Sequence, residues 1–240
     1  MKPHHIRDVM FSAEQIAARV DTLVVDMQAA CRSDNFVMIG ILRGSFIFLA
    51  DLVRDLYQHG VRPRIDFLTL ESYGAGTESS GKVRVVKDIR MNVEGADVML
   101  VDDILDTGRT LTFATRHLLG RGARSVKTCA LLDKPLRRVV PFRADFVGFE
   151  VPDEFVVGYG LDYDSYYREL PCIAKVTFTP TKPRGYADRA ITVDVALEVV
   201  PLTFWERYGF KIEVGAGILV FLFVLFGVVS PARFKRTLIL

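Results

Sequence analysis

The sequence predicts an α/β fold, a mostly parallel β-sheet flanked by helices. Three observations predict it. Short runs of apolar and β-branched residues recur at strand length and stay apolar throughout, as strands buried on both faces require. Segments with apolar residues at helical spacing alternate with them. The junctions between the two carry Gly, Ser, Thr and Asp, residues that turn a chain or cap a helix.

Taken in order, the opening MKPHHIRDVMF is polar and holds no apolar stretch, so no secretory signal is expected. Ser12 and Gln15 form a capping-box start. Ile16, Val20, Leu23, Val24 and Met27 follow at helical spacing and predict an amphipathic helix to about Cys31. Residues 35–42, NFVMIGIL, read as a buried strand running into Arg43-Gly44-Ser45. Residues 46–59 read as the next helix, stopped by Gly60. Strands follow at residues 65–70 and 83–87. Between them residues 72–82, SYGAGTESSGK, have the composition of a mobile loop, which over a site would serve as a water-excluding lid. Residues 98–101 are a central buried strand and 110–119 the helix after it. Further strands are expected at 125–132, 146–149, 155–157 and 174–178, ahead of a Pro-rich linker over 179–185.

The chemistry concentrates in residues 98–111, VMLVDDILDTGRTL. Open α/β sheets bind ligands at the carboxyl ends of their strands. The turn over residues 106–110 can aim several backbone N–H groups at one anion, with Gly108 allowing close approach and the helix dipole assisting. Asp102 and Asp103 just upstream suit ribose hydroxyls or a hydrated Mg²⁺. Arg43-Gly44 repeats the strand–turn–helix pattern and is a second anion-binding candidate, although alone it reads as a tight turn. Lys134, at the end of a strand, would alone be a solvated charge. Phe155 and the tyrosines near it would alone be core. A formal charge of +2 excludes a nucleic-acid-scale basic surface. Three scattered cysteines, without metal-ligand spacing, read as reduced, packed thiols.

Five motifs in order then resemble the hypoxanthine (hypoxanthine-guanine) phosphoribosyltransferases of the type I phosphoribosyltransferase family. They are ILRGS at 41–45, SYG at 72–74, VDDILDTGRTL at 101–111, LLDKP at 131–135 and PDEFVVGYGLDY at 152–163. The last is similar to the 6-oxopurine pocket and not only to the shared phosphoribosyl site. The resemblance implies Mg²⁺-dependent transfer from 5-phosphoribosyl 1-pyrophosphate to hypoxanthine or guanine, giving IMP or GMP and pyrophosphate. It implies Asp106 as general base near purine N7, and Thr107, Gly108, Arg109 and Thr110 around the 5′-phosphate. Asp102 and Asp103 would hold the ribose hydroxyls directly or through Mg²⁺, and Asp162 would take a second Mg²⁺. Lys134 would donate to the 6-oxo group, Phe155 would stack on the base, and the Val156 backbone would read its edge. Arg43, Gly44 and Arg168 would meet pyrophosphate. The resemblance also implies a non-proline cis peptide at Leu42-Arg43 and a homodimer or homotetramer. Asp102 departs from the pattern, since many members carry Glu there.

The tail lies outside the resemblance. Residues 191–199 alternate apolar and polar, and 214–229, VGAGILVFLFVLFGVV, carry no charge. As a helix that run spans about 24 Å, near the roughly 30 Å hydrocarbon core of a bilayer. Phe204, Trp205, Tyr208 and Phe210 precede it, and Arg233, Lys235 and Arg236 follow, in the manner of interface anchors. The expected organisation is a phosphoribosyltransferase domain over 1–180, a linker and amphipathic segment over 181–210, and a transmembrane anchor over 211–240. The alternative for the tail is a helix buried between subunits. The basic flank favours a cytoplasmic C-terminus, and the substrate requires a cytoplasmic catalytic domain at the inner face of the membrane. A re-entrant segment satisfies both. A regulator on the same fold, binding nucleotide or phosphoribosyl pyrophosphate without turnover, is the alternative function. The presence of Asp106, Lys134 and Phe155 argues against it.

Overall fold

The computed structural model describes residues 4–28, 30, 33–73 and 82–178. Its elements in chain order are β1 (His4–Phe11), α1 (Ala13–Met27), β2 (Phe36–Leu42), α2 (Phe46–Gln58), β3 (Arg64–Tyr73) and β4 (Lys82–Lys87). Then come β5 (Asp97–Leu105), α3 (Arg109–Gly120), β6 (Ser125–Asp133), β7 (Phe146–Glu150), β8 (Val156–Val157) and β9 (Ile173–Phe178). A 3-10 turn, Pro135–Arg137, follows β6.

Six strands form one sheet in the order β4-β3-β2-β5-β6-β7, parallel except for the antiparallel β3–β4 pair. Its central strands are covered on both faces, which is why they read as unbroken apolar runs. Alternate residues divide between the two faces. Phe36 and Met38 of β2 and Met99 and Val101 of β5 pack with α1 and α2. Val37, Ile39 and Ile41, with Val98 and Leu100, pack with Leu111, Ala114 and Leu118 of α3. Each fully buried Leu or Ile in these clusters is worth about 1.5–3 kcal/mol over an exposed one. A Cβ on Gly40 would stand 2.8 Å from Leu49 Cδ2, so glycine is what lets α2 lie this close to β2.

The capping box of α1 is present. Ser12 Oγ accepts from the Gln15 N–H, and Gln15 Oε1 accepts from the Ser12 N–H. All five of its spaced apolar residues are buried. The helix stops at Met27, short of Cys31, where the Gln28 N–H turns to Val25 O and closes the last turn. Cys31 lies outside the described residues; Cys129 and Cys172 are buried free thiols. Arg19 reaches from α1 to the edge strand β7, donating to Gly148 O and Val147 O at 2.7 Å each. That covers backbone acceptors which an open edge would leave exposed.

A second, antiparallel sheet of order β1-β9-β8 stands apart from the first. Here the sequence reading needs two corrections. The polar opening is strand β1, paired with β9 through Val9↔Ala174 and Phe11↔Ile173. Its partner lies far along the chain, so no local periodicity announces it. The strand expected at 155–157 comprises Val156–Val157 alone, with Phe155 just before it. Among the described residues no helix is long and apolar enough to cross a membrane. The uncharged run at 214–229 and residues 74–81 of the expected lid lie outside the described residues.

Asp97, at the start of β5, ties three segments together. Its carboxylate accepts from Arg124 Nε at 2.9 Å and Ser125 Oγ at 2.7 Å, and Arg124 also reaches Ser33 Oγ. The Arg124 guanidinium, then the Ser125 hydroxyl, hold the Asp97 carboxyl well below the usual carboxylate range. A depressed folded-state value stabilises above the unfolded value near 4, and the contribution is lost as pH falls through the folded value. Asp97→Asn is therefore expected to lower Tm by about 2 °C at pH 7. The gap from the parent should narrow as melting is repeated below about pH 4.

Candidate functional site

Strand β5 runs longer than its apolar core, because pairing with β6 continues through Asp102↔Ala130, Ile104↔Leu132 and Leu105↔Asp133. Asp102 and Asp103 are therefore strand residues, not loop residues as the sequence suggested. The turn that follows enters α3 through Gly108, whose φ of +83° is the left-handed conformation that glycine adopts freely. A Cβ there would also meet Val140 Cγ2 at 2.9 Å and Arg138 Cδ at 3.0 Å. Space and conformation both demand glycine.

A cleft of about 580 Å³ opens at these strand ends. It is lined by Arg43, Gly44, Asp102, Asp103, Asp106, Thr107, Gly108, Arg109, Thr110, Asp162 and Arg168. Every residue expected at phosphate, ribose, pyrophosphate or metal thus lines one cavity. The Leu42-Arg43 peptide is cis, as the resemblance implied. Gly44 stands against the carboxylates so closely that a Cβ on it would lie 1.5 Å from Asp103 Oδ2.

The opposite wall comes from the segment between β8 and β9. A Cβ on Gly160, at φ +100°, would fall 2.1 Å from Gly44 O, so two glycine backbones touch across the site. Arg168 locks this contact. Its Nη1 donates to Gly160 O at 2.6 Å, and its Nη2 pairs with Asp162 Oδ1 at 2.6 Å. Tyr159, buried at φ +51°, donates its hydroxyl to Asp51 Oδ2 of α2 at 2.6 Å. Sequence reading took Tyr159 for plain core; its chain neighbours Gly158 and Gly160 were the available signal.

The purine-end residues do not line this cleft. Lys134 is buried, its Nζ donating to Glu154 O at 2.6 Å and its N–H to Leu105 O. Val156 is buried and Phe155 is 42% exposed, its ring edge-on to Tyr163 and Phe178. What sequence reading missed is Arg137, which does line the cleft. Its Nε lies 3.1 Å from Asp106 Oδ1 and 3.6 Å from Asp153 Oδ1. Arg138 was missed as well, and it donates to Leu105 O at 3.0 Å, to Asp106 O and to Asp133. Two adjacent arginines after LLDKP were the only sign.

Electrostatics favour a cation here. Burial, then the charge of Asp103, pushes Asp102 well above the usual carboxylate range. Burial raises Asp103 also, against its hydrogen bonds and the charge of Arg168. A buried carboxylate beside a partly buried one suits a divalent ion or hydroxyl donors. Among the described residues no three His, Cys, Asp or Glu cluster as a complete metal cage. Mg²⁺ binds through one or two carboxylates and fills its octahedron with ligand phosphates and water.

A family model, the phosphoribosyl transferase domain, matches residues 10–164. The hypoxanthine-guanine phosphoribosyltransferase of Aquifex aeolicus is 46% identical over 164 residues, covering 68% of this chain and 90% of that protein. The hypoxanthine phosphoribosyltransferase of Salmonella typhimurium is 43% identical, over 72% of this chain and 96% of its own. Among solved structures, a hypoxanthine-guanine phosphoribosyltransferase from Bacillus anthracis superposes with TM-score 0.68 at 43% identity. It covers 72% of this chain and 100% of that one.

Gly44→Ala tests the tightness of the site. The added methyl must displace Asp103 or the Arg43-Gly44 turn, and an ångström of misplacement can cost about 10²-fold in rate. The variant is expected to keep its circular dichroism spectrum and lose about two decades of kcat/KM.

Proposed function

The chain belongs to the phosphoribosyltransferase family, in its hypoxanthine(-guanine) branch, and we propose how its own residues carry that branch's reaction. Hypoxanthine or guanine and 5-phosphoribosyl 1-pyrophosphate are converted to IMP or GMP and pyrophosphate, a purine-salvage step. One observation supports the residue roles most strongly. A helix N-terminus, the Asp102-Asp103 carboxylate pair and an arginine–glycine turn line the same cleft, the three kinds of group that a 5′-phosphate, a ribose and a pyrophosphate on one ligand call for.

Thr107, Gly108, Arg109 and Thr110 bind the 5′-phosphate at the start of α3, where backbone N–H groups and the helix dipole favour an anion. Asp102 and Asp103 accept from the ribose hydroxyls, and the shorter Asp102 stands where many relatives in this family carry Glu. Arg43, Gly44 and Arg168 hold the pyrophosphate. One Mg²⁺ would be held by Asp102 and Asp103 and a second by Asp162, each with ligand oxygens and water, and they would supply positive charge against the departing pyrophosphate. Asp106 accepts the purine imidazole proton as the ring nitrogen attacks, a general-base role typically worth about 10²–10⁴-fold. Lys134 spends one of its three protons on Glu154 O and has others for the purine 6-oxo group. Phe155 stacks on the base and the Val156 backbone reads its edge. The catalytic unit is residues 1–180, assembled as a homodimer or homotetramer.

We propose further that residues 211–240 tether this cytoplasmic domain to a membrane, through the uncharged run at 214–229 and its aromatic and basic flanks. A second reading has the same segment buried as a helix between subunits.

Steady-state rates with hypoxanthine, guanine and xanthine rank the bases, and no nucleotide from any of them with excess Mg²⁺ would overturn the assignment. Asp106→Asn should lower the single-turnover rate by about 10²-fold or more, with phosphoribosyl pyrophosphate affinity little changed. A single-turnover readout avoids the masking that slow product release imposes on kcat.

For the tail, full-length protein should sediment with membranes and resist a high-salt wash, while a chain ending at Lys182 should be soluble and active. Arg at Val220 and Val224 should release it, since each costs about 2.5–3.5 kcal/mol at a helix centre. Full-length protein wholly soluble without detergent, with a smaller oligomer on truncation, would favour the subunit-interface reading.

A further inference from the structure

We infer that Arg137 is a positioning residue that orients the Asp106 carboxylate for proton transfer and couples it to the segment that reads the purine. The inference rests on Asp106 acting as the general base. Asp106 sits on a turn, where a carboxylate has several accessible orientations, and only some of them present an oxygen to the purine imidazole. Arg137 Nε takes Oδ1 at 3.1 Å, which leaves Oδ2 for the proton. The same guanidinium is 3.6 Å from Asp153, next to Glu154, whose carbonyl accepts from Lys134. Arg137 therefore stands between the acid–base group and the segment over 153–156.

Its own backbone is held in register with the turn it serves. Lys134 N–H donates to Leu105 O, Arg138 clamps Leu105 O and Asp106 O, and the Val139 and Val140 N–H groups both reach Thr107 O. The stretch 134–140 is thus laced along residues 105–107, and Arg137 is its one side chain on the Asp106 carboxylate among the described residues. The pair is about half exposed, and exposed ion pairs add little to stability. Its effect belongs to orientation, where small displacements change rates strongly.

The test compares Arg137→Ala, Arg137→Lys and Asp106→Asn, alone and Arg137→Ala with Asp106→Asn, by single turnover at saturating phosphoribosyl pyrophosphate and hypoxanthine. Arg137→Ala should be slowed about tenfold with unchanged KM for both substrates and an unchanged Tm. The slowing should vanish in the Asp106→Asn background, because there is no longer a base to orient. Millimolar ethylguanidinium should restore part of the Arg137→Ala rate and none of the Asp106→Asn rate, and Arg137→Lys should fall between. A parental rate in Arg137→Ala, an equal slowing in the Asp106→Asn background, or a raised KM at unchanged saturated rate would each overturn the inference. If Asp106→Asn itself turned over at the parental rate, the general-base reading would fall instead.

Discussion

Hydrogen bonding of β2 to β5 in parallel, in the register Phe36↔Asp97 to Gly40↔Val101, is the constraint on which the site depends. Parallel neighbours end on the same side, so the Arg43-Gly44 turn and the Asp102-Asp103 pair emerge together. The contact is tight enough that Gly44 has no room for a side chain beside Asp103. Antiparallel pairing of the same two strands would send their loops to opposite ends of the sheet. The two apolar faces hold that register, because a one-residue slip would turn Val37 and Ile39 out of the α3 cluster and Phe36 and Met38 out of the other.

The second wall is built by a different device. Residues 158–168 carry little regular structure, yet they are fixed by Tyr159 on Asp51, Arg168 on Gly160 and Asp162, and Gly160 against Gly44. Tyr159 binds the helix that the Arg43-Gly44 turn leads into. The Arg43-Gly44 turn is therefore held from both sides, while stretch 134–140 backs the turn over residues 105–107.

The electrostatic consequence is a site built for its ligands. Burial raises both adjacent carboxylates and the charge of Asp103 raises Asp102 further, while Arg43, Arg109 and Arg168 share their cleft. The cleft thus holds positive and negative groups side by side, a charge pattern suited to a ligand with both anionic and hydroxyl groups. Such preorganised charge is most effective where water is kept out.

The sequence by itself determined the alternating elements, the apolar runs of the buried strands, the capping box at Ser12 and the motif residues that come to line one cleft. These are local properties: periodicity, turn chemistry and contiguous motifs around residues 43–44 and 102–110. Only the tertiary structure decided the strand role of His4–Phe11, the extension of β5 through Asp103 to Leu105, the Tyr159–Asp51 bond and the placing of Arg137 on Asp106. Each of those joins residues distant along the chain. A strand with no apolar alternation, or an arginine in a polar turn, acquires its role from the partner that folding brings to it, and no window of the sequence contains that partner.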